Sequence, residues 1–196
     1  MNAEQLQKTL RASQYAEQVL GIHQASLEQD YAIDQFQTSL STAQIQHFVA
    51  SSLADIQDEN SWMRAIRVLR ARLMFRWIWQ DANQLTDVVT LTRELSDFAD
   101  ASICAAKDFA LKPLIAKYGE PLGYKGKVQD LIVVAMGKLG AQELNLSSDI
   151  DLIFAFDEQG ETNGRKCIDV QQFCILWGQK LIYLLDHITQ MVLSSV

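Results

Sequence analysis

Helix breakers are nearly missing from the first half of this 196-residue chain: Gly21 is the sole glycine before Gly119, and both prolines, Pro113 and Pro121, come later. With so little punctuation, that half is expected to run helix after helix. Cysteine is sparse too. Cys104, Cys167 and Cys174 are odd in number and lack C-x-x-C spacing, which excludes a disulfide framework and a cysteine-type zinc site and leaves reduced, partly buried thiols. No apolar run reaches the ~18 residues of a membrane span. The first residues include Asn2, Glu4, Gln5, Gln7 and Lys8 where a signal peptide needs an apolar core, so a cytoplasmic protein without a membrane partner is expected. Positive charge is short as well: the net charge of −7 argues against broad nucleic-acid binding, which needs a basic surface. His23, His47 and His187 are scattered, with no partner at ligand spacing.

What remains is ordinary for a folded globular chain, 48% hydrophobic and 21% charged. Ser41, followed three residues on by Gln44, has the form of a capping box, with Ile45, Phe48, Val49 and Leu53 repeating behind it on one face. Asn60 or Ser61 is expected to cap the next helix. That helix carries an apolar stripe of Ile66, Leu69, Leu73 and Trp77 among Arg64, Arg67, Arg70, Arg72 and Arg76, and the arginines read as a solvated face that offsets the chain's many acids in preference to a basic surface for a phosphate or an acidic partner. A long helix is expected from about Asp87 to Tyr118, capped by Thr86, ended by Gly119 and kinked or split at Pro113. Residues 119–130, with Pro121, Gly123 and Gly126, read as a loop. A last helix from about Cys167 to His187 shows Val170, Phe173, Cys174, Trp177, Leu181, Leu184 and Leu185 on one core-facing stripe.

The chemistry is concentrated between residues 131 and 156. Leu131-Ile132-Val133-Val134-Ala135-Met136 is an uninterrupted apolar run that reads as a strand buried on both faces, ended by Gly137. Residues 137–146 are too many for a two-residue hairpin and too few for a helical crossover, so a turn with a short helix is expected, leading to a neighbouring strand. On that strand Asp149 and Asp151 stand two apart and share a face, while Ile150, Leu152, Phe154 and Phe156 point to the core. Paired carboxylates are hard oxygen ligands for Mg²⁺ or Mn²⁺ held against a phosphate. Gly137, Lys138 and Ser148 are the expected phosphate contacts beside them, Gly140 is a turn residue or a further contact, and Glu143, left out of the catalytic set, is open equally to a catalytic role or to capping or bracing the turn. Neither G-x-x-x-x-G-K-[ST] nor G-x-G-x-x-G is present.

A glycine turn after a strand, followed about a dozen residues later by D-x-D, is similar to the pattern of polymerase-β-type nucleotidyltransferases, with Lys138 in the position that is usually serine or glycine. The longer string G-K-L-G-x-x-E-L-N-x-x-S-D-I-D-L-I-F closely resembles the bifunctional glutamine synthetase adenylyltransferase/adenylyl-removing family, at residues 137–140, 143–145 and 148–154. Residues 62–81 and the segment Thr92-Arg93-Glu94-Leu95-Ser96-Asp97-Phe98-Ala99-Asp100-Ala101 resemble the region before the first of that family's two catalytic domains. The resemblance implies an α+β chain: a mostly helical amino-terminal region, residues 1–85, and a partial polymerase-β-type nucleotidyltransferase core, residues 86–196. It implies a nucleotide-binding enzyme in which Asp149 and Asp151 are catalytic and ligate Mg²⁺ or Mn²⁺. The implied reaction removes AMP from a tyrosine of glutamine synthetase by phosphorolysis, giving ADP, in the control of nitrogen assimilation. Glutamine synthetase, phosphate and ADP are the implied partners, with a nitrogen-signalling protein as a further one.

The family also supplies a third carboxylate in a D-x-R-L-R-P-like segment after the last helix. Here residues 189–196 contain no acid, arginine or proline, so an incomplete catalytic piece is expected. The alternative is a non-catalytic helical module that binds glutamine synthetase, a nucleotide or a signalling protein without turnover.

Overall fold

Side chains flanking each helix satisfy its first free amides, and they set where the helices begin. The computed structural model describes residues 1–33 and 36–189. Asn2 caps α1 (Ala3–Ala12), Ser13 caps α2 (Gln14–Ala32), and Ser41 with Gln44 forms the expected capping box of α3 (Thr42–Leu53). For α4 (Glu59–Ala82) the cap is Asp58, which accepts from Ser61 N at 2.8 Å, and not Asn60 or Ser61. For α5 (Val88–Tyr118) it is Asp87, accepting from Thr90 N at 2.8 Å, and not Thr86. At both places a carboxylate lies beside the expected cap, and its full charge suits the positive helix start better. The same amide and hydroxyl donors pull the Asp58 and Asp87 carboxyls below their ordinary range. α5 runs unbroken through Pro113 and ends at Gly119, whose φ of +81° turns the chain away.

The helices surround α4. One side of it, with Ile66, Leu69, Leu73 and Trp77, joins the main core formed with α3, α5 and α7 (Val170–Thr189). The opposite side, with Ala71, Phe75, Ile78 and Trp79, packs with Ala16, Val19, Leu27 and Phe36 into a second cluster under α1 and α2. A helix enclosed on both sides has little room for a solvated basic face, and this corrects the reading for Arg72 and Arg76, whereas Arg64 is exposed as expected. Arg76 is 1% exposed and paired with Glu94 at 2.7 Å, while Arg72 reaches Asp30 through Nε at 2.8 Å and through Nη2. Glu94 also accepts from Trp77 Nε1 at 2.8 Å and Leu40 N at 2.9 Å, and Arg76 donates to the Thr38 carbonyl. One carboxylate thereby ties α5, α4 and the segment before α3 together.

Strands are few and short, so the described chain is a mostly helical α+β structure. β1 (Pro121–Gly123) pairs antiparallel with β4 (Gly160–Thr162), which places a strand in the segment expected to be loop. β2 (Ile132–Ala135) pairs antiparallel with β3 (Leu152–Ala155), Val133 opposite Phe154 and Val134 opposite Ile153. The expectation that β2 is buried on both faces is overturned. Val133, Ala135, Leu152 and Phe154 pack on the main core, but Ile132, Val134 and Ile153 are 45%, 43% and 51% exposed. Among the described residues the helices cover one face of this ribbon only. α7 begins at Val170, three residues later than expected, where Asp169 accepts from Gln172 N at 2.6 Å. Its expected stripe is buried apart from the half-buried Leu185. No helix among the described residues is long and apolar enough to cross a membrane. The expected lack of a third acid concerns residues 190–196, which lie outside the described residues.

Candidate functional site

The link between β2 and β3 is built around two glycines with different tasks. Gly137 opens α6 (Gly137–Gly140) at φ +55°, a left-handed conformation that costs an L-residue about 1–2 kcal/mol. Gly140 is excluded from substitution by space: a Cβ there would meet the Ala135 carbonyl oxygen at 2.5 Å. Gly140 therefore packs α6 onto the end of β2, which assigns it a structural task. After α6 the chain is fastened to α5, with Leu144 N donating to Ser96 Oγ at 3.2 Å and Gln142 Nε2 to Asp100 Oδ2 at 3.1 Å. Burial raises the Asp100 carboxyl above its ordinary value, the Gln142 bond opposing it.

Asp149 and Asp151 follow this fastened loop. Both are exposed, whereas Ile150 and Leu152 are half-buried against the core, so the two carboxylates share the outer side as expected. They precede β3 rather than belonging to it. The ladder extends one step past the strand, with Met136 N donating to the Asp151 carbonyl at 2.9 Å, and Asp149 lies beyond that last pairing. Asp151 is brought against Gly137: its Oδ2 is 3.6 Å from where a Cβ would stand. Lys138 and Ser148 also meet, with Nζ donating to Oγ at 3.3 Å. The Ser148 hydroxyl bonds to Asn145 Oδ1 at 2.7 Å and accepts from Asn145 N at 3.2 Å, so it shapes the turn before Asp149. Glu143 is exposed and its amide donates to the Lys138 carbonyl.

The donor set suits a hard cation, since two carboxylates face water at the end of a loop hydrogen-bonded to α5. Among the described residues no three His, Cys, Asp or Glu side chains gather at metal-holding spacing. Two carboxylates are nevertheless within the usual complement for Mg²⁺, which takes one or two from protein and completes its shell with water and phosphate oxygens.

Behind the carboxylates lies a cavity of about 480 Å³, bordered by Ser148, Asp149 and Asp151 and walled by Trp77, Phe98 and Phe154. Two charged side chains that sequence reasoning did not place there also border it, Arg70 from α4 and Asp186 from α7. For Arg70 a signal exists: it occupies the apolar stripe itself, four residues after Ile66 and three before Leu73.

Comparison with known proteins shows where such a chain occurs. Residues 3–192 match the family model described as glutamate-ammonia ligase adenylyltransferase. A bifunctional glutamine synthetase adenylyltransferase/adenylyl-removing enzyme of Acinetobacter baylyi is 78% identical over 189 residues, which is 96% of this chain and 20% of that protein. The proteins so named from Hahella chejuensis and Pseudomonas syringae are 44% identical over 142 residues and 41% identical over 157 residues. These stretches cover 72% and 79% of this chain, and 15% and 16% of the respective relatives. The chain thus spans a fifth or less of the length of these relatives.

Proposed function

The chain belongs to the glutamate-ammonia ligase adenylyltransferase family, a family of nucleotidyltransferase enzymes, and on that premise we propose that it carries part of the site that removes AMP from adenylylated glutamine synthetase. The observation that carries this reading is the pair Asp149 and Asp151, exposed together beside Gly137 at the end of a loop fixed to α5. In this reading residues 137–156 belong to a polymerase-β-type core. Asp149 and Asp151 would hold Mg²⁺ or Mn²⁺, which when bound would draw charge from phosphoryl oxygens.

The chain's own groups orient the reactants. An oxygen of inorganic phosphate attacks the AMP phosphorus, the bond from phosphorus to the tyrosine oxygen breaks, the phenolate takes up a proton, and ADP is released. Lys138 adds positive charge where the transferred group gains negative charge, with Gly137 allowing close backbone approach and Ser148 holding Lys138 in place. Glutamine synthetase, phosphate and ADP are the proposed partners, and a nitrogen-signalling protein is a proposed regulator.

A second reading, a helical module that binds without turnover, is favoured by one observation: the described residues gather no third carboxylate at metal spacing. Phosphate-dependent ADP formation from adenylylated glutamine synthetase separates the two. Turnover with Mg²⁺ or Mn²⁺ that disappears in Asp149→Asn/Asp151→Asn would uphold the proposed reaction in this chain. A folded chain with no turnover would favour the incomplete piece or the binding module, and turnover untouched by the double substitution would overturn the role of the two carboxylates.

A further inference from the structure

Three arginines of α4 reach inward, and they are not equivalent. Arg72 has Asp30 and Arg76 has Glu94, whereas Arg70 is half-buried and forms no ion pair with any described carboxylate. Its charge is felt by Tyr15, but burial raises that phenol above 10.0, so at neutral pH tyrosine offers it no negative charge. Arg67 is likewise half-buried and without an ion pair among the described residues, but it does not border the cavity. Arg70 does, in the company of Ser148, Asp149 and Asp151 and beside the walls of Trp77 and Phe98.

A guanidinium on an apolar helix stripe is costly to desolvate unless an anion meets it. Its planar fork matches the oxygens of a phosphoryl group, which it can hold through two bonds at once. The cavity, at about 480 Å³, falls within the range of small-molecule sites, and its largely apolar walls suit an uncharged ring at the other end of the same ligand. We infer that this cavity is a phosphoryl-binding site in which Arg70 is the anion-pairing residue, taking either a nucleotide phosphate or inorganic phosphate. The inference rests on the nucleotidyltransferase reading above and adds to it a residue from the helical region.

Titration calorimetry of the full chain with ADP and, separately, inorganic phosphate, both with Mg²⁺ present, tests it. Arg70→Gln is expected to weaken binding about 10- to 100-fold, the range for losing a hydrogen bond to a charged group, while Arg67→Gln leaves it unchanged. Weakening of ADP alone assigns Arg70 to the nucleotide phosphate; weakening of inorganic phosphate alone assigns it to the second reactant. Should Arg70→Gln lose its helical circular dichroism, Arg70→Lys keeps the charge without the fork and is expected to show a smaller loss. Unchanged binding in a folded Arg70 variant, with binding lost in Asp149→Asn/Asp151→Asn, would overturn the role of Arg70 and leave the carboxylate site standing. The converse pattern would uphold Arg70 and remove the carboxylates. A wild-type chain that binds neither ligand would overturn both.

Discussion

Replacing Glu94 with alanine should be among the most damaging single changes in the chain. The substitution takes away the carboxylate paired with Arg76, a guanidinium that is 1% exposed, and removes the acceptor of Trp77 Nε1 and Leu40 N. Burial already pulls the Arg76 pKa down, and the charge of Glu94 is what opposes that pull. Removing one partner of a buried pair costs about 3–5 kcal/mol. Each neutral donor left dry adds about 1–3 kcal/mol, but water entering a shared cavity makes these losses less than additive, so about 4–6 kcal/mol is expected. Against a usual total of about 5–15 kcal/mol, such a variant stands close to unfolding. In a chain of this length the melting temperature should drop by about 10–20 °C. Urea unfolding followed by far-ultraviolet circular dichroism measures it directly. Glu94→Gln, which keeps one oxygen and so an acceptor for either Trp77 or Leu40 but not both, should lose somewhat less. Arg76→Met/Glu94→Leu should be closer to wild type than Glu94→Ala, because the pair is then removed whole. A loss under about 1 kcal/mol for Glu94→Ala, or a double variant worse than the single, would refute the argument that losing one half of the buried pair dominates.

Gly140→Ala should destabilise the chain by about 1–3 kcal/mol, because its Cβ meets a backbone carbonyl that has to move, and Gly137→Ala by about 1–2 kcal/mol for its left-handed backbone. Urea midpoints of the two variants check this, and a neutral Gly140→Ala would contradict the packing role. Of the three thiols, exposed Cys104 and Cys167 should react with a disulfide reagent in the native chain, and Cys174 only after denaturation. Burial, aided by the charge of Asp130, pushes the Cys174 thiol up from 9.0 to about 11. Its neutral form is therefore favoured by folding, and this contribution to stability is present below pH 9.0 and fades as the pH climbs toward about 11. Cys174→Ser should flatten that decline in pH-dependent unfolding; an unchanged slope would assign it to other groups.

How far the sequence could be read depended on how local each determinant is. The capping box at Ser41, the stripe of α7, the short helix after Gly137 and the shared side of Asp149 and Asp151 all follow from residues within a turn or two of each other. Their geometry needs no distant partner. Arg72 and Arg76 of α4 were misread because their surroundings come from afar: Asp30 and Glu94 are 42 and 18 residues away in sequence. The exposed face of β2 was missed for the opposite reason, since an apolar run states what a segment is able to bury and not which face is covered. β1 is three residues long and pairs with β4 across nearly forty residues, which no periodicity within Pro121–Gly123 encodes. At the site, the sequence held the two carboxylates and the glycine turn, but the cavity arises only when α4, α5 and α7 converge behind them.

The ribbon of β2 and β3, with one face on the helices and the other toward water, gives the molecule two mechanical grades. α4 is enclosed on both sides, and opening it means undoing the whole fold; the ribbon's short ladder can fray while the helices hold. The segment carrying Asp149 and Asp151 is anchored to the stiff grade by Leu144 on Ser96 and runs directly into the soft one at Leu152. A ligand bridging the two carboxylates would therefore quench motion in a segment already half restrained, and its imprint would be a slowing of amide exchange along the ribbon, with little change in the helices.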